Sequence, residues 1–144
     1  MKNILFLFAF IFTSTLVHAQ FPPTVQASNV QITYKTNAGA TISWTRGSGS
    51  KCIAVVRKLS SSNSVPPAST TVNYTPNASY GSGSSLGNGD NYVVYEGTGT
   101  SVFVNSLSAN TAYVAAVYEY NTMSIFTTTY YYNTTYATAN YEYF

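Results

Sequence analysis

The chain is poor in the residues that most catalytic and metal sites use. It has one histidine, one cysteine and four acidic residues, and charged residues make up 7% of it. The histidine, His18, lies in an amino-terminal segment that we expect to be removed, and Cys52 has no second cysteine to pair with. A Ser-His-Asp or Cys-His catalytic set therefore cannot be built, nor can a Cys and His zinc cluster. We expect no enzyme, no cofactor and no metal site.

The few acidic residues leave two minor alternatives open. Asp90 and Glu96 lie in or beside a Gly-rich region, where a pair of carboxylates could serve a glycosidase. Asp90 could also bind Ca²⁺ weakly together with loop carbonyls. The simpler interpretation is that all the acids, which also include Glu119 and Glu142, are surface residues on turns and strand ends.

The basic residues are equally sparse. Six lysines and arginines give a formal net charge of +2, and they form no cluster beyond Arg57-Lys58. A nucleic-acid-binding protein needs a basic patch, so we expect no nucleic-acid partner.

The amino terminus has the pattern of a secretory signal peptide at residues 1–19, followed by a single domain at 20–144. Lys2 precedes the apolar run 4–12, and Val17 and Ala19 are the small residues that a cleavage site needs. The apolar run is too short to span a membrane, which takes about 20 residues. We expect a secreted or cell-surface protein with no membrane span after cleavage.

The cysteine lies in an apolar run, Cys52-Ile-Ala-Val-Val. The favoured interpretation is a small buried hydrophobic residue. A reactive or intermolecular thiol is the alternative that an odd cysteine in an exported chain raises.

Polar, uncharged residues that favour β-structure are abundant, including 14 tyrosines. Alternating segments separated by Gly, Pro and Asn turns predict strands, and no amphipathic helix is found. A glycine turn at 97–100 predicts a hairpin between two of these strands. A long loop is predicted at 59–89, with one short strand near 72–75 and a flexible Gly-rich part at 81–89. A tip loop is predicted at 122–131. The predicted strands are 27–35, 40–45, 51–58, 91–96, 101–107, the strand within 107–121, and a closing strand at 132–143.

The stretch 107–121 predicts a tight corner followed by a central strand. Leu107 stands six residues before Tyr113, with a small polar turn between them. This is the sequence form of a tyrosine corner, in which the Tyr hydroxyl bonds to the backbone of the preceding loop. In the alternating strand that follows, Tyr113 faces one side, and Tyr118 and Tyr120 face the other.

With Trp44, Leu107 and Tyr113 in these positions, the chain resembles a fibronectin type III domain. The segments 23–24, 27–30, 92–95, 97–99 and 116–121 are similar to a bacterial subgroup found in large exported proteins. The resemblance implies an all-β, immunoglobulin-like Greek-key sandwich of two sheets and about seven strands. It also implies a spacer or binding module without catalytic residues. The loop at 59–89 is longer than in a standard module.

The tyrosines are the best candidates for a binding site. Rings on the last two predicted strands should share one surface, and Tyr suits glycan stacking and protein contacts. The alternative is that these rings simply pack on the sheet. The candidate binding residues are Tyr118, Tyr120, Tyr130, Tyr131, Tyr132 and Tyr136.

Three functions remain open from sequence, with an extracellular protein or glycan as partner. The leading one is a non-catalytic spacer or an adhesion and protein-interaction module. The second is a carbohydrate-binding module that uses the tyrosine surface. The third is self-assembly through the last strand, where Glu142 is the only charge in 132–143.

Overall fold

The computed structural model describes residues 22–60, 67–68, 71–87, 89–135 and 138–144. The predicted signal peptide lies outside this part of the chain. The described residues contain a short 3₁₀ turn, Thr138–Asn140, and otherwise only strands as regular structure. The strands are β1 (Ser28–Lys35), β2 (Ala40–Thr45), β3 (Lys51–Lys58), β4 (Tyr92–Gly97), β5 (Ser101–Val104), β6 (Tyr113–Ser124), β7 (Thr128–Tyr132) and β8 (Tyr141–Tyr143).

The strands form two antiparallel sheets, which confirms the predicted all-β sandwich. The first sheet has the order β1-β2-β5. The second has the order β4-β3-β6-β7, and β8 pairs with the opposite end of β6. Strand β6 is therefore central: it pairs with β3 along its first two thirds and with both carboxyl-terminal strands on its other side.

The space between the sheets holds the main hydrophobic core. Alternation along β2 points Ile42 and Trp44 inward, and Trp44 packs edge-to-face on Tyr95 with 5.2 Å between the ring centroids. Cys52 lies in the same core and is fully buried, and this burial raises the pKa of its thiol to about 12. The interpretation of Cys52 as a buried hydrophobic residue is confirmed.

The tyrosine corner is present. The backbone N–H of Ser108 donates to the hydroxyl oxygen of Tyr113 at 2.9 Å. The Tyr113 ring is buried and Leu107 packs against the same core. Asn110 takes the left-handed conformation (φ 55°) that tightens the turn and that Asn adopts more readily than most residues. The corner fixes where the central strand begins.

The predicted hairpin at 97–100 is wrong. Strand β4 pairs with β3 and β5 pairs with β2, so the glycine turn carries the chain from one sheet to the other. The N–H of Gly99 donates to the hydroxyl of Tyr95 at 2.6 Å, and the N–H of Trp44 donates to the carbonyl of Thr100 at 2.9 Å. A glycine turn between two alternating strands fits a hairpin and a sheet crossing equally well, because both need only a tight reversal.

The predicted ends of the last two strands are also wrong. Strand β6 continues to Ser124, and only 125–127 form the turn before β7. The closing strand is not continuous, because the chain leaves the ladder after Asn133 and rejoins β6 as β8. The Thr and Tyr residues within 122–131, where a tip loop was predicted, are good strand formers. In the structure they lie in the paired ends of β6 and β7.

The segment 71–87 lies over the outer side of the second sheet. The predicted short strand near 72–75 does not form. Backbone hydrogen bonds instead join Asn77 to Val93 (3.1 Å) and Val93 to Ser84 (2.9 Å), so the segment covers the free edge of β4. A Cβ on Gly83 would lie 2.0 Å from the Val93 carbonyl oxygen, so this close approach requires glycine. The segment 81–87 is an irregular loop, as predicted, and hydrogen bonds anchor its backbone at Ser84 and Leu86.

Candidate interaction surface on the hairpin of strands 6 and 7

Three of the six candidate tyrosines are buried. Tyr118, Tyr120 and Tyr132 expose 1%, 1% and 2% of their surface, so the prediction that they offer an exposed surface is wrong. The reason is the segment 71–87, which brings Tyr74 and Leu86 over this face of the sheet and forms a second hydrophobic cluster there. The long loop, which had no strand pattern, gave no sign in the sequence that it would do so.

The predicted gathering of the rings does occur. The ring of Tyr120 lies 4.9 Å from that of Tyr132 and 5.8 Å from that of Tyr130, between centroids. Tyr130 and Tyr131 are half-buried, and Tyr136 lies outside the described residues. The rings therefore act mainly as packing on the sheet, which was the alternative interpretation.

The same cluster holds one carboxylate. Tyr120 donates its hydroxyl hydrogen bond to Oε1 of Glu96, and Lys51 Nζ lies 2.9 Å from the same oxygen. Burial acts to raise the pKa of Glu96, but the hydrogen bonds from Lys51 and Tyr120 outweigh it, so the pKa lies below its usual value. Burial, followed by the bond to Glu96, raises the pKa of Tyr120, so this phenol stays protonated at neutral pH.

A second carboxylate is fully buried, which corrects the prediction that all four acids lie on the surface. Glu119 accepts from Arg46 Nε at 2.7 Å and from Nη2 at 2.8 Å. It also accepts hydrogen bonds from the backbone N–H groups of Gly47 (2.9 Å) and Gly49 (3.1 Å). The hydrogen bond with Glu119 is the main cause that raises the pKa of Arg46. This arrangement leaves the Glu119 oxygens occupied by structural partners.

Further buried polar contacts fix the base of the hairpin to the amino-terminal segment. Gln26 Oε1 accepts the N–H of Glu119 at 2.8 Å, and Gln26 Nε2 donates to the carbonyl of Asn133 at 2.8 Å. Asn133 Nδ2 donates to the carbonyl of Pro23 at 2.8 Å. The base of the β6–β7 hairpin is therefore held by the amino-terminal segment as well as by the loop at Arg46.

The tip of the hairpin has the opposite character. Ile125 is 70% exposed and Phe126 is 100% exposed. Residues 120–141 contain no charged side chain, so the apolar tip has no charged neighbour within this stretch. An open groove at this tip is lined by Met123, Ile125, Phe126, Thr127, Thr129 and Tyr131.

Sequence reasoning missed Ile125 and Phe126. Their signal was available, because two large apolar residues stand side by side in a Ser- and Thr-rich stretch that was predicted to be an exposed tip loop. The tyrosines drew attention to the strands instead. Of the candidates that the structure describes, it brings Tyr131 to this tip and leaves Tyr118, Tyr120, Tyr130 and Tyr132 in or around the buried cluster.

The described residues contain no group of three or more His, Cys, Asp or Glu side chains that could hold a metal ion. Among the same residues, no helix has the length and apolar character to cross a membrane.

The sheet orders, the core tryptophan and the tyrosine corner together define a fibronectin type III-like β-sandwich. Solved structures similar to this chain include a fibronectin type III domain of human collagen XX. That domain is 18% identical, the match covers 70% of this chain and 81% of the collagen domain, and the TM-score is 0.41. The sequence matches no protein-family model and no curated protein.

Proposed function

We propose that this protein is a non-catalytic exported module that makes protein contacts through the tip of the β6–β7 hairpin. The observation that carries the proposal is the complete exposure of Phe126 beside the largely exposed Ile125. Fibronectin type III-like sandwiches serve widely as interaction modules or spacers. The signal-peptide pattern at 1–19 and the low charge of the chain support export.

The tip leaves two large apolar side chains, Ile125 and Phe126, in water. Burying a Phe or Ile side chain is worth about 1.5–3 kcal/mol each. Aromatic residues and Met are enriched at the centres of protein interfaces, where Tyr and Trp most often supply the binding energy. Met123, Phe126 and Tyr131 line the same groove. A spacer would need no such apex, so contact with a partner accounts for the tip better.

A rigid support makes the tip suitable for recognition. The ion pair of Glu119 and the contacts of Gln26 and Asn133 immobilise the base of the hairpin. A partner would therefore meet a hairpin whose base is already fixed, and binding would cost little ordering of the backbone there.

The structure favours protein over glycan as the partner. A glycan platform needs several exposed rings in a row, whereas Tyr118, Tyr120 and Tyr132 are buried. Tyr130 and Tyr131 point to opposite faces of β7, because they are neighbours in a strand.

The proposal is tested by site-specific photo-crosslinking on cells of the source organism. A benzophenone side chain is placed at Phe126, and in a control protein at Tyr34, which is 58% exposed on the other sheet. We expect a discrete protein adduct from position 126 alone. Excess unlabelled wild type should suppress it, and excess Phe126→Ser should not. The proposal is overturned if both positions give the same adducts, if position 126 gives none, or if Phe126→Ser competes as well as wild type.

A further inference from the structure

We infer that the partner seated on this hairpin is a second copy of the chain, which adds its own β7 antiparallel to the free edge of β7. The inference rests on the proposed function, because it names the partner of the same hairpin. Among the described residues, the sheet edges differ in how well they are protected from pairing with a strand of another chain.

The described residues form five edge strands, and four of them are protected from pairing with another chain. Strand β8 has only three residues and carries Glu142. The edge of β4 is covered by the backbone of Asn77 and Ser84. Strand β1 is interrupted by two register shifts and ends at Lys35. Strand β5 has four residues, and the chain directly after it bonds to the segment near Ser79. Coverage, bulges, charge and short length are the devices by which proteins prevent edge pairing.

Strand β7 has none of these devices among the residues that the structure describes. Its sequence, Thr-Thr-Tyr-Tyr-Tyr, contains no charge, proline or glycine and has a high preference for strand structure. The register with β6 runs without a shift from Tyr132 to Thr128, so no bulge twists the edge away. An edge of this kind is a template for another strand.

The register also shows which backbone groups are open. The N–H of Asn133 donates to the carbonyl of Glu119 at 2.8 Å, so 133 and 119 form a hydrogen-bonded pair. Because such pairs alternate along an antiparallel ladder, 131 and 129 also bond to β6, whereas Thr128 and Tyr130 direct their N–H and C=O groups to the outer edge. Within the described ranges, the backbone groups of Thr128 and Tyr130 have no partner across that edge.

A second copy fits this edge for reasons of symmetry and charge. Two β7 strands related by a two-fold axis would run antiparallel and place Thr and Tyr side chains opposite each other, which are favourable cross-strand pairs. Residues 120–141 are uncharged, so no like charges meet across the axis. The pairing would also bring the exposed Ile125 and Phe126 of each copy against the other copy's hairpin. These side chains would then be buried between the two copies.

The test uses Thr128, whose N–H faces outward. Thr128→Pro removes a donor that only a second copy needs, and proline is tolerated at such edge positions. Thr128→Val is the matched control, because it keeps the N–H and loses the same hydroxyl contact with Ser124. Mass is measured by sedimentation of the purified chain from micromolar to submillimolar concentration.

We expect wild type and Thr128→Val to double in mass as concentration rises, and Thr128→Pro to stay monomeric with an unchanged unfolding temperature. If Thr128→Pro does not fold, Thr129→Lys replaces it with Thr129→Gln as control, since a charge at the edge opposes pairing. A strictly monomeric wild type, or edge variants that dimerise like it, overturns the inference. A monomeric wild type that still gives the Phe126-dependent adduct with another protein overturns only this inference and leaves the proposed function standing.

Discussion

Arg46 and Glu119 are 73 positions apart in sequence and form a two-pronged ion pair, with Nε 2.7 Å from Oε1 and Nη2 2.8 Å from Oε2. Arg46 follows the last residue of β2 in the first sheet, and Glu119 lies in β6 of the second. The pair therefore joins the two sheets at the end of the sandwich from which the β6–β7 hairpin extends.

Removing the arginine should destabilise the fold strongly. Arg46→Ala leaves the fully buried Glu119 carboxylate with only backbone donors, so we expect a loss of about 3–5 kcal/mol in the free energy of unfolding. Lys51→Ala, which breaks the more exposed pair with Glu96, should cost no more than about 1 kcal/mol. Chemical denaturation of both variants measures the difference, and equal losses would show that the buried pair is not structural.

The tyrosine corner should make a small and specific contribution. Tyr113→Phe keeps the buried ring and removes only the acceptor of the Ser108 N–H, so we expect a loss of about 1 kcal/mol. Tyr92→Phe, at a half-buried tyrosine outside the corner, is the control and should change stability less. If thermal unfolding shows no difference between the two variants, the corner bond does not contribute.

Stability should fall in acid partly through Glu96. Its pKa is lower in the folded than in the unfolded chain, so its contribution is fully present above the unfolded pKa and is lost as the pH falls through the folded pKa. Glu96→Gln should therefore flatten the decrease in unfolding temperature between neutral pH and roughly pH 3. An identical slope in wild type and Glu96→Gln would contradict the assigned role of the Tyr120 and Lys51 contacts.

The buried and the exposed aromatic residues of the hairpin should behave in opposite ways. Tyr120→Ala empties a site in the second hydrophobic cluster and should cost about 3–5 kcal/mol, by analogy with Phe→Ala in cores. Phe126→Ala should stay within about 0.5 kcal/mol of wild type, because the ring touches solvent only. A large loss at Phe126 would mean that this side chain packs on its own domain and is not available to a partner.

The sequence alone predicted the first half of the fold well. Strands β2 and β3 have the predicted ends because a Gly-containing turn precedes each of them and a Ser-rich segment follows β3. The corner of Leu107 and Tyr113 was also predicted, because it depends on a local spacing. The sequence did not predict sheet membership after Gly97, since a short glycine turn permits pairing within a sheet or crossing between sheets.

The candidate site was harder to predict, because it depends on contacts between distant segments. A single acid such as Glu119 looks the same in sequence whether it is exposed or paired with a remote arginine. The burial of Tyr118 and Tyr120 results from Leu86, in a segment without strand periodicity. The exposure of Phe126 could be expected from the predicted tip loop at 122–131, but the pairing of the strands on either side of it could not.

The most direct test of the account is amide hydrogen exchange along β7, measured by NMR at low and high protein concentration. Thr129 and Tyr131 bond to β6 and should be protected at both concentrations. Thr128 and Tyr130 face the outer edge, so their amides should exchange rapidly in dilute protein and become protected as concentration rises. Exchange at Thr128 and Tyr130 that does not change with concentration would contradict pairing of two copies at this edge.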